Sequence, residues 1–279
     1  MMAARLGYWW RAAATGFSFA VFGIASVLAG VTLFPLLCLT ARDADVARRR
    51  AQALTHHWFG MFSRMMAVLG CIRYEIRGAE RLRQRGVMIV ANHPSLIDVV
   101  LLLGVLPEVD CIMKQAIFDN WFMRRPARWL GYIAQSTPDQ LFTDAQAALQ
   151  KQHSLLVFPE GTRTVPGRPI KMQHGAARMA VEAGATILPV AIQVTPPHLF
   201  KHQPWWRPPV RMPHYVLTVG EPYPTSRFVK EADGVPSVAA RRLSRHWEQY
   251  FAAHTGGIAA HPLADMAGPP HYSRAERAS

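Results

Sequence analysis

The sequence contains few acidic side chains and few cysteines for its length. Its 279 residues include 18 Asp and Glu against 31 Lys and Arg, which gives a formal net charge of +13. The three cysteines, Cys38, Cys71 and Cys111, are odd in number and widely spaced, so they match neither a disulfide framework nor a metal-binding motif. We therefore expect buried thiols, a pattern compatible with a reducing cytoplasm, and no bound metal.

Signals for nucleic-acid binding are also missing, although the chain is basic. It has no zinc-finger spacing, no RNP-like motif and no polybasic tail. Half of its residues are hydrophobic, and a chain that is both apolar and basic suits an anionic membrane surface. The composition therefore predicts membrane lipids as partners and no nucleic acid.

Charge is absent from residues 12–41, a run of 30 residues. About 20 apolar residues are enough to cross a bilayer core as a helix, and the aromatic residues 8–10 would lie at its interface. A buried helix of a soluble protein gives the same pattern. A cleavable signal peptide fits less well, because the run continues through Pro35 and Cys38 without a small-residue cleavage site.

The arginines around this run are distributed unevenly. Arg42 and the cluster at residues 48–50 follow it, against Arg5 and Arg11 before it. The positive-inside bias predicts that the C-terminal portion, with any active site in it, faces the cytoplasm at the cell's inner membrane.

Residues 50–70 form a second candidate membrane element. Their Trp, Phe and Met side chains recur at helical spacing, which is typical of an amphipathic helix in the interface and equally of a core helix. We predict that residues 1–70 are N-terminal membrane-anchoring helices. A membrane span and a re-entrant segment fit residues 12–41 equally well.

The pattern changes after residue 70 to short β-rich segments that alternate with helical ones. The β-rich segments are residues 71–78, 86–92, 109–114, 154–159, 186–194 and 214–220, and the helical ones are 137–152, 174–185 and 237–254. This alternation predicts a single α/β domain over residues 71–254, with a mostly parallel central sheet flanked by helices. Residues 255–279 are rich in Gly, Pro, Ala and His, which predicts a disordered tail.

A polar motif follows the apolar strand in residues 87–100, VMIVANHPSLIDVV. If Pro94 opens a helix, His93 lies at its cap and Asp98 lies one turn further along the same face. A carboxylate there accepts a hydrogen bond from one imidazole nitrogen, which fixes the tautomer and leaves the other nitrogen basic. The motif favours a general base with its orienting carboxylate, whereas residues that merely cap a helix are the simpler alternative.

A second polar turn ends the strand in residues 155–164, LLVFPEGTRT. Gly161 lets the backbone approach a ligand, with neighbouring N–H groups turned toward an anion. Arg163 offers a planar fork that suits phosphate. A tight loop with a solvated arginine is the alternative for this segment taken alone.

NHPSLID followed by FPEGTR resembles the glycerolipid acyltransferase family, the PlsC type named after 1-acylglycerol-3-phosphate acyltransferase. The resemblance covers about residues 85–222 and includes ILPVAI at 187–192 and VGEPY at 219–223. It implies a membrane-bound O-acyltransferase without a bound cofactor. Such an enzyme moves a fatty acyl group from acyl-ACP or acyl-CoA to the free hydroxyl of a lysophospholipid, with lysophosphatidic acid the default acceptor and an acyl carrier protein as a candidate partner.

The resemblance also implies residue roles. His93 would be the general base and Asp98 its orienting carboxylate. The substrate-binding candidates are Asn92, Glu160, Gly161, Thr162, Arg163 and Lys171. Of these, Gly161 and Arg163 would hold the acceptor's phosphate and Glu160 would shape the loop, while Asn92 or backbone N–H groups would stabilise the oxyanion.

One motif departs from the family. Members usually follow the segment at residues 114–131 with a strand that ends in an arginine, but here Gln135 and Ser136 stand at that point. The candidates to replace that charge are Arg124, Arg125 and Arg128. A lyso-phosphodiester, a lyso-amino-acid lipid or a specialised polyketide-like or polyene lipid needs fewer cationic contacts than lysophosphatidic acid does, so the acceptor stays open.

Two other functional classes fit some of these features. A carrier-independent transacylase or hydrolase would use the same His–Asp pair, although no Gly-x-Ser-x-Gly motif is present and Ser95 is a poor nucleophile candidate. A non-catalytic membrane adaptor with a decayed acyltransferase fold is disfavoured because both motifs are intact. Residues 202–215, with two tryptophans among arginines and prolines, fit an interfacial loop or an ordinary proline-rich loop.

Overall fold

The computed structural model describes residues 2–255, and the tail predicted from residue 255 onward lies, apart from Thr255, outside them. The helices are α1 Met2–Val31, α2 Leu33–Leu39, α3 Ala44–Val68, α4 Asp98–Leu103, α5 Gln115–Asp119, α6 Trp121–Trp129, α7 Pro138–Gln150, α8 His174–Glu182, α9 Ser226–Glu231 and α10 Pro236–His254. The strands are β1 Arg73–Arg77, β2 Val87–Ala91, β3 Asp110–Lys114, β4 Ile133–Gln135, β5 Leu155–Val157, β6 Thr186–Thr195, β7 His214–Val219 and β8 Tyr223–Pro224.

The strands form one sheet in the order β1-β7-β6-β2-β5-β3-β4, with β8 beside β6. Strand β6 pairs antiparallel with β7 and β8, and the other pairs are parallel. All five residues of β2 are buried, as expected of a strand covered on both faces. The predicted α/β fold with a mostly parallel sheet is confirmed.

Alternate residues of β2 face opposite layers of the fold. Ile89 packs in the core on one side of the sheet, together with Leu102 of α4. Met88 and Val90 pack in the core on the other side, together with Trp247 of α10. Because successive side chains of a strand point to opposite faces, a continuous apolar sequence supplies both cores.

The uncharged run folds as two consecutive helices. Pro35 lacks an N–H, and its ring would clash with the carbonyl of Val31 in a continuous helix, so the helix is interrupted at Thr32. Leu6–Leu39 is long and apolar enough to cross a membrane by length and composition.

Helix α3 runs antiparallel to this segment along its whole length. The Trp10 indole N–H donates to the Leu69 carbonyl just beyond the end of α3, at 2.9 Å. At the other end of the pair, the Arg50 guanidinium donates to the Leu37 carbonyl at 3.2 Å. Helices α1, α2 and α3 therefore form a hairpin.

The hairpin lies against the α/β layer through α3. Near the start of α3, Arg48 and Gln52 both donate to the Asp110 carboxylate, at 2.8 and 2.7 Å. Farther along, Gly60 meets Gly104 so closely that a Cβ at Gly60 would lie 3.1 Å from the Gly104 carbonyl oxygen. Helix α3 packs along the α/β layer, and α1 packs along α3. The apolar helix α1 therefore lies alongside the domain. The division at residue 70 and the anchoring role of residues 1–70 stay predictions.

Candidate active site

The two sequence motifs meet at the carboxyl edge of the sheet. Strands β2 and β5 are parallel neighbours, with Val90 opposite Val157, so the residues that follow them emerge side by side. The Thr164 N–H donates to the His93 carbonyl at 2.7 Å, and the His93 N–H donates to Glu160 Oε1 at 2.8 Å. The first motif is thus bonded directly to the second.

His93 and Asp98 form a hydrogen-bonded pair. His93 Nδ1 lies 3.0 Å from Asp98 Oδ2, and the same oxygen accepts the Ser95 N–H at 2.7 Å. The expected local geometry was wrong: Pro94 opens no helix, and α4 begins at Asp98 itself. A tight turn places the carboxylate beside the imidazole, because the Ser95 N–H fixes the carboxylate within that turn.

The Asp98 carboxylate is fully buried. Burial raises its pKa, while the His93 ring, the Ser95 N–H and the charge of Arg163 act in the opposite direction. Its Oδ1 has no hydrogen-bond partner among the residues that the structure describes. An ionised Asp98 with so few partners would strongly stabilise a positive charge on the adjacent imidazole.

The His93 ring is held on two sides and open on a third. Its Nδ1 faces Asp98, which leaves Nε2 for a substrate, and 18% of the side chain is exposed. Phe158 packs against the ring with the centroids 4.6 Å apart and the planes inclined by 36°. Sequence reasoning missed this contact, since Phe158 is indistinguishable there from the strand that it follows.

Glu160 lies inside the turn as a buried acceptor. Its carboxylate accepts the Thr164 hydroxyl at 2.8 and 2.9 Å, in addition to the His93 N–H. Burial raises the pKa of the Glu160 carboxyl, and these two donors partly oppose the rise. The geometry is that of a group that shapes the loop, and Thr164, which the sequence analysis did not select, is its partner.

Gly161 occupies a turn that favours glycine. Its φ is +65°, a left-handed conformation that side chains rarely adopt. Its own N–H donates to the Phe158 carbonyl at 3.0 Å, so an anion would be met by the N–H groups that follow. Thr162 is exposed beside it.

Arg163 extends from this turn onto a third segment, the β6–β7 loop (residues 196–213). Its Nη1 donates to the carbonyls of Leu199 and Phe200, at 3.0 and 3.3 Å. The charge of Arg163 also lowers the pKa of Asp98, although less than the His93 ring and the Ser95 N–H do. No sequence signal pointed to the Leu199 and Phe200 carbonyls, since every residue carries such a group.

Other candidates lie farther from the imidazole or face elsewhere. Asn92 is buried, and its amide pairs with the Ile192 backbone through Nδ2 to the carbonyl at 2.8 Å and Oδ1 from the N–H at 2.7 Å. This differs from the expected oxyanion contact, because both ends of the amide extend the sheet pairing toward β6. Lys171 is exposed near the second motif, where the Gln173 N–H donates to the Pro159 carbonyl at 2.8 Å.

The position of the missing arginine lies at the far edge of the sheet. Gln135 ends β4, the edge strand, and it is exposed together with Ser136. The three arginines of α6, Arg124, Arg125 and Arg128, are exposed as well. None of them is drawn into the His93 site by a described contact.

Clustered metal ligands are absent from the part of the chain that the structure describes. Residues 2–255 contain no group of three or more His, Cys, Asp or Glu side chains arranged to hold a metal ion. The three cysteines are free and buried.

A His–Asp pair beside an arginine turn, at the carboxyl edge of a mostly parallel sheet, is the arrangement that the resemblance to lipid acyltransferases implied. A model of the family described as Acyltransferase matches residues 73–193. Residues 73–193 therefore resemble that family in sequence, over somewhat less than half of the chain.

Two individual proteins of similar sequence are both lipid acyltransferases by name. The chain is 29% identical to the 1-acyl-sn-glycerol-3-phosphate acyltransferase of Pseudomonas aeruginosa, over 52% of this chain and 58% of that protein. It is 30% identical to the lyso-ornithine lipid O-acyltransferase of the same species, over 61% of this chain and 64% of that protein. The chain thus spans between about half and two thirds of the length of these relatives.

A solved structure shares the fold. The crystal structure of the 1-acyl-sn-glycerophosphate (LPA) acyltransferase, PlsC, from Thermotoga maritima superimposes with a TM-score of 0.68, covering 90% of this chain and 98% of that one. The two sequences are 21% identical. At that identity the likeness establishes the α/β architecture.

Proposed function

We propose that the protein is an O-acyltransferase that moves a fatty acyl group from an acyl thioester, acyl-ACP or acyl-CoA, to the free hydroxyl of a lysophospholipid. The His93–Asp98 pair is the observation that carries this proposal. Its imidazole presents Nε2 outward while a buried carboxylate holds Nδ1, which is the geometry of a general base.

The proposed reaction is a direct transfer. Nε2 of His93 takes the proton of the acceptor hydroxyl as that oxygen attacks the thioester carbonyl carbon. The tetrahedral intermediate then collapses, the C–S bond breaks, and the leaving thiolate takes the proton back from His93. Asp98 stabilises the imidazolium between these steps, and general-base assistance of this kind contributes about 10²- to 10⁴-fold in rate.

The acceptor's phosphate is proposed to bind at the second motif. Arg163 stands in the turn that is hydrogen-bonded to His93 through Thr164, its charge acts on Asp98, and the turn at Gly161 offers backbone N–H groups. Thr162 and Lys171, both exposed near the turn, complete the proposed subsite.

Lysophosphatidic acid is the default acceptor, and a lyso-amino-acid lipid is the second candidate. The uncharged pair Gln135 and Ser136 favours the second, since it replaces a cation that a phosphomonoester would use. The similarity to the lyso-ornithine lipid O-acyltransferase supports the same alternative.

Residues 1–70 are proposed to anchor the catalytic domain, residues 71–254, at the cytoplasmic face of the inner membrane. The outer face of α1 and α2 exposes large apolar side chains, among them Phe17, Ile24, Leu28, Leu33, Leu36 and Leu39. Trp205 packs on Phe19 of α1, with ring centroids 6.2 Å apart, and remains 45% exposed, so the β6–β7 loop borders the same face. Because α1 lies alongside the domain, we expect this face to embed from one side of the bilayer.

Fractionation tests the anchor. An embedded apolar face should keep the protein in membranes through washes with high salt and carbonate, and detergent should release it. Release by high salt alone would show that surface charge holds the protein instead, because salt screens such attraction.

A transfer assay tests the reaction and separates it from the other classes. Purified protein is given a labelled acyl thioester and a panel of lysolipids that includes lysophosphatidic acid and lyso-ornithine lipid. Label should appear in a diacyl lipid only when both substrates are present. Labelled free fatty acid as the sole product would indicate a hydrolase, product formed from a labelled donor lipid without thioester would indicate a transacylase, and no turnover would favour an adaptor.

A further inference from the structure

The hydroxyl of Tyr215 is buried between two other polar side chains. Its oxygen lies 2.9 Å from Ser95 Oγ and 3.0 Å from His198 Nδ1. All three side chains are at most 1% exposed. Tyr215 is on β7, Ser95 belongs to the first motif and His198 to the β6–β7 loop, so one hydroxyl joins three separate parts of the chain.

The segment that follows His198 reaches both motifs. The Leu199 carbonyl accepts the Leu96 N–H of the first motif at 3.0 Å. The same carbonyl and that of Phe200 accept the Arg163 guanidinium of the second motif. The position of Arg163 therefore depends on where the backbone directly after His198 lies.

The other end of the chain of contacts reaches the general base. The backbone N–H of Ser95 donates to the Asp98 oxygen that faces His93, while the Ser95 hydroxyl meets Tyr215. The Tyr215 hydroxyl thus contacts Ser95, whose N–H holds Asp98, and it contacts His198, whose neighbour Leu199 holds Arg163.

His198 is suited to hold position and not to exchange protons with a substrate. Burial lowers the pKa of its ring to about 3, so the ring is neutral at physiological pH. Its Nε2 is buried and has no hydrogen-bond partner within residues 2–255 as described, which leaves the contact with Tyr215 as its polar tether there.

We infer that Tyr215 and His198 are positioning residues for the acceptor site. Their buried hydrogen bond fixes the backbone of residues 198–200, and the Leu199 and Phe200 carbonyls of that backbone hold the Arg163 guanidinium in place. Neither side chain contacts the substrate. The kinetic consequence of this inference rests on the proposed function. Its structural part, that Tyr215 fixes the position of Arg163, does not.

Tyr215→Phe removes the shared hydroxyl and keeps the ring. We expect the KM for the lysolipid to rise about tenfold, which is the effect of losing one hydrogen bond that helps to position a charged group. The KM for the thioester should change less than about twofold. Tyr223→Phe is the matched control, because its hydroxyl accepts the Trp247 indole N–H at 3.0 Å in the opposite layer. That variant should leave both KM values within about twofold.

Two substitutions at His198 separate the hydrogen bond from the bulk of the ring. Asn places an amide close to the position of Nδ1 and can still bond to Tyr215, so His198→Asn should keep the wild-type KM for the lysolipid within about threefold. His198→Leu fills similar volume without a polar atom, and its KM should rise as in Tyr215→Phe. Equal kinetics for the two variants would contradict the inference.

A double-mutant cycle asks whether Tyr215 acts through Arg163. In an Arg163→Ala background, Tyr215→Phe should cause no further rise in the lysolipid KM, because the guanidinium that it positions is gone. Independent effects that multiply would show that Tyr215 acts on the acceptor by another route and would overturn the inference.

Hydrogen exchange tests the coupling without relying on turnover. Tyr215→Phe should speed amide exchange in peptides that cover residues 93–98, 160–164 and 196–200, and Tyr223→Phe should not. If wild-type protein transfers no acyl group and this exchange pattern appears, the proposed function fails and the coupling stands. If wild-type protein is active and Tyr215→Phe matches Tyr223→Phe in both exchange and lysolipid KM, the inference fails and the proposed function stands.

Discussion

Two His–Asp pairs with similar N–O distances lie at opposite ends of the strands of the same sheet. His93 Nδ1 is 3.0 Å from Asp98, after the carboxyl end of β2, and His153 Nδ1 is 3.2 Å from Asp110, which starts β3. The two imidazoles are almost equally exposed, at 18% and 17%. Distance and exposure therefore do not distinguish a candidate base from a structural histidine.

The surroundings of the carboxylates do distinguish them. Asp110 also accepts Arg48 and Gln52 of α3, so a cation balances its charge and it fastens the hairpin to the sheet. Within the described residues, Asp98 has no Lys or Arg in direct contact, accepts one backbone N–H besides His93, and keeps one oxygen unpaired. The charge of Asp110 is already balanced by an arginine, so it adds little to the stability of an imidazolium. The charge of Asp98 is not balanced in this way, so it can stabilise the His93 imidazolium.

The largest expected effect separates the two histidines by activity. His93→Ala should lower kcat by at least about 10², because the lost group acts in the chemical step, and should leave the protein folded and membrane-bound. His153→Ala, the matched control, should keep kcat within about threefold. Steady-state transfer kinetics on both purified variants provide the measurement, and near-normal turnover by His93→Ala would remove it as the base.

The next effect separates the two aspartates by stability. Asp110→Asn leaves the buried Arg48 guanidinium without its counter-charge, so the free energy of unfolding should fall by about 3–5 kcal/mol. Turnover should persist at temperatures where this variant stays folded. Denaturant unfolding in detergent gives the first quantity, and an unchanged midpoint would show that the hairpin is held by other contacts.

A smaller effect tests the role of Arg163. Arg163→Ala should raise the KM for the lysolipid about tenfold to hundredfold, or about 1.5–3 kcal/mol, with the thioester KM little changed. Arg163→Lys should recover only part of this loss, since an ammonium cannot reproduce the planar fork. If acceptor kinetics are untouched in Arg163→Ala, the phosphate subsite lies elsewhere.

The smallest effect concerns the pH dependence of stability at Asp98. Because burial raises its pKa in the folded protein, this group's stabilising contribution is present below the ordinary pKa of about 3.8 and is lost as pH rises through the raised value. Asp98→Asn removes the dependence, so its stability relative to wild type should increase with pH while activity is lost. The measurement is the unfolding free energy of both proteins across this pH range. Glu160 contributes equally to both, so its pH dependence cancels in the difference. A difference that does not change with pH would contradict the raised pKa of Asp98.

The sequence was sufficient for the parts of the fold that repeat a strong local pattern. Strands β2 and β6 are continuous apolar runs that both layers of helices cover, and each was recognised close to its observed ends. Strands β4 and β8, with three and two residues, lie outside the predicted β-rich segments, whereas β5, also of three residues, lies within the apolar run of residues 154–159.

The site was predictable where side chains carry the chemistry and unpredictable where the backbone does. His93, Asp98 and Arg163 could be named from residue type and position. The Leu199 and Phe200 carbonyls that seat Arg163 could not, because backbone groups have no sequence signature. The helix start was misplaced at Pro94, since a proline at the first helical position is only a preference and the Ser95–Asp98 hydrogen bond favours a turn there.

The most direct test of the account is whether the acyl group ever resides on the protein. Ser95, the hydroxyl residue next to His93 in the first motif, is buried and bonded to Tyr215, which leaves the substrate hydroxyl as the proposed nucleophile. Wild-type protein is mixed with excess labelled thioester, and thiol release is followed by rapid quench with and without lysolipid, alongside the mass of the intact protein. Direct transfer predicts no burst of thiol and an unmodified mass until lysolipid is added. A burst equal to the protein concentration, together with an acyl adduct on the chain, would contradict direct transfer.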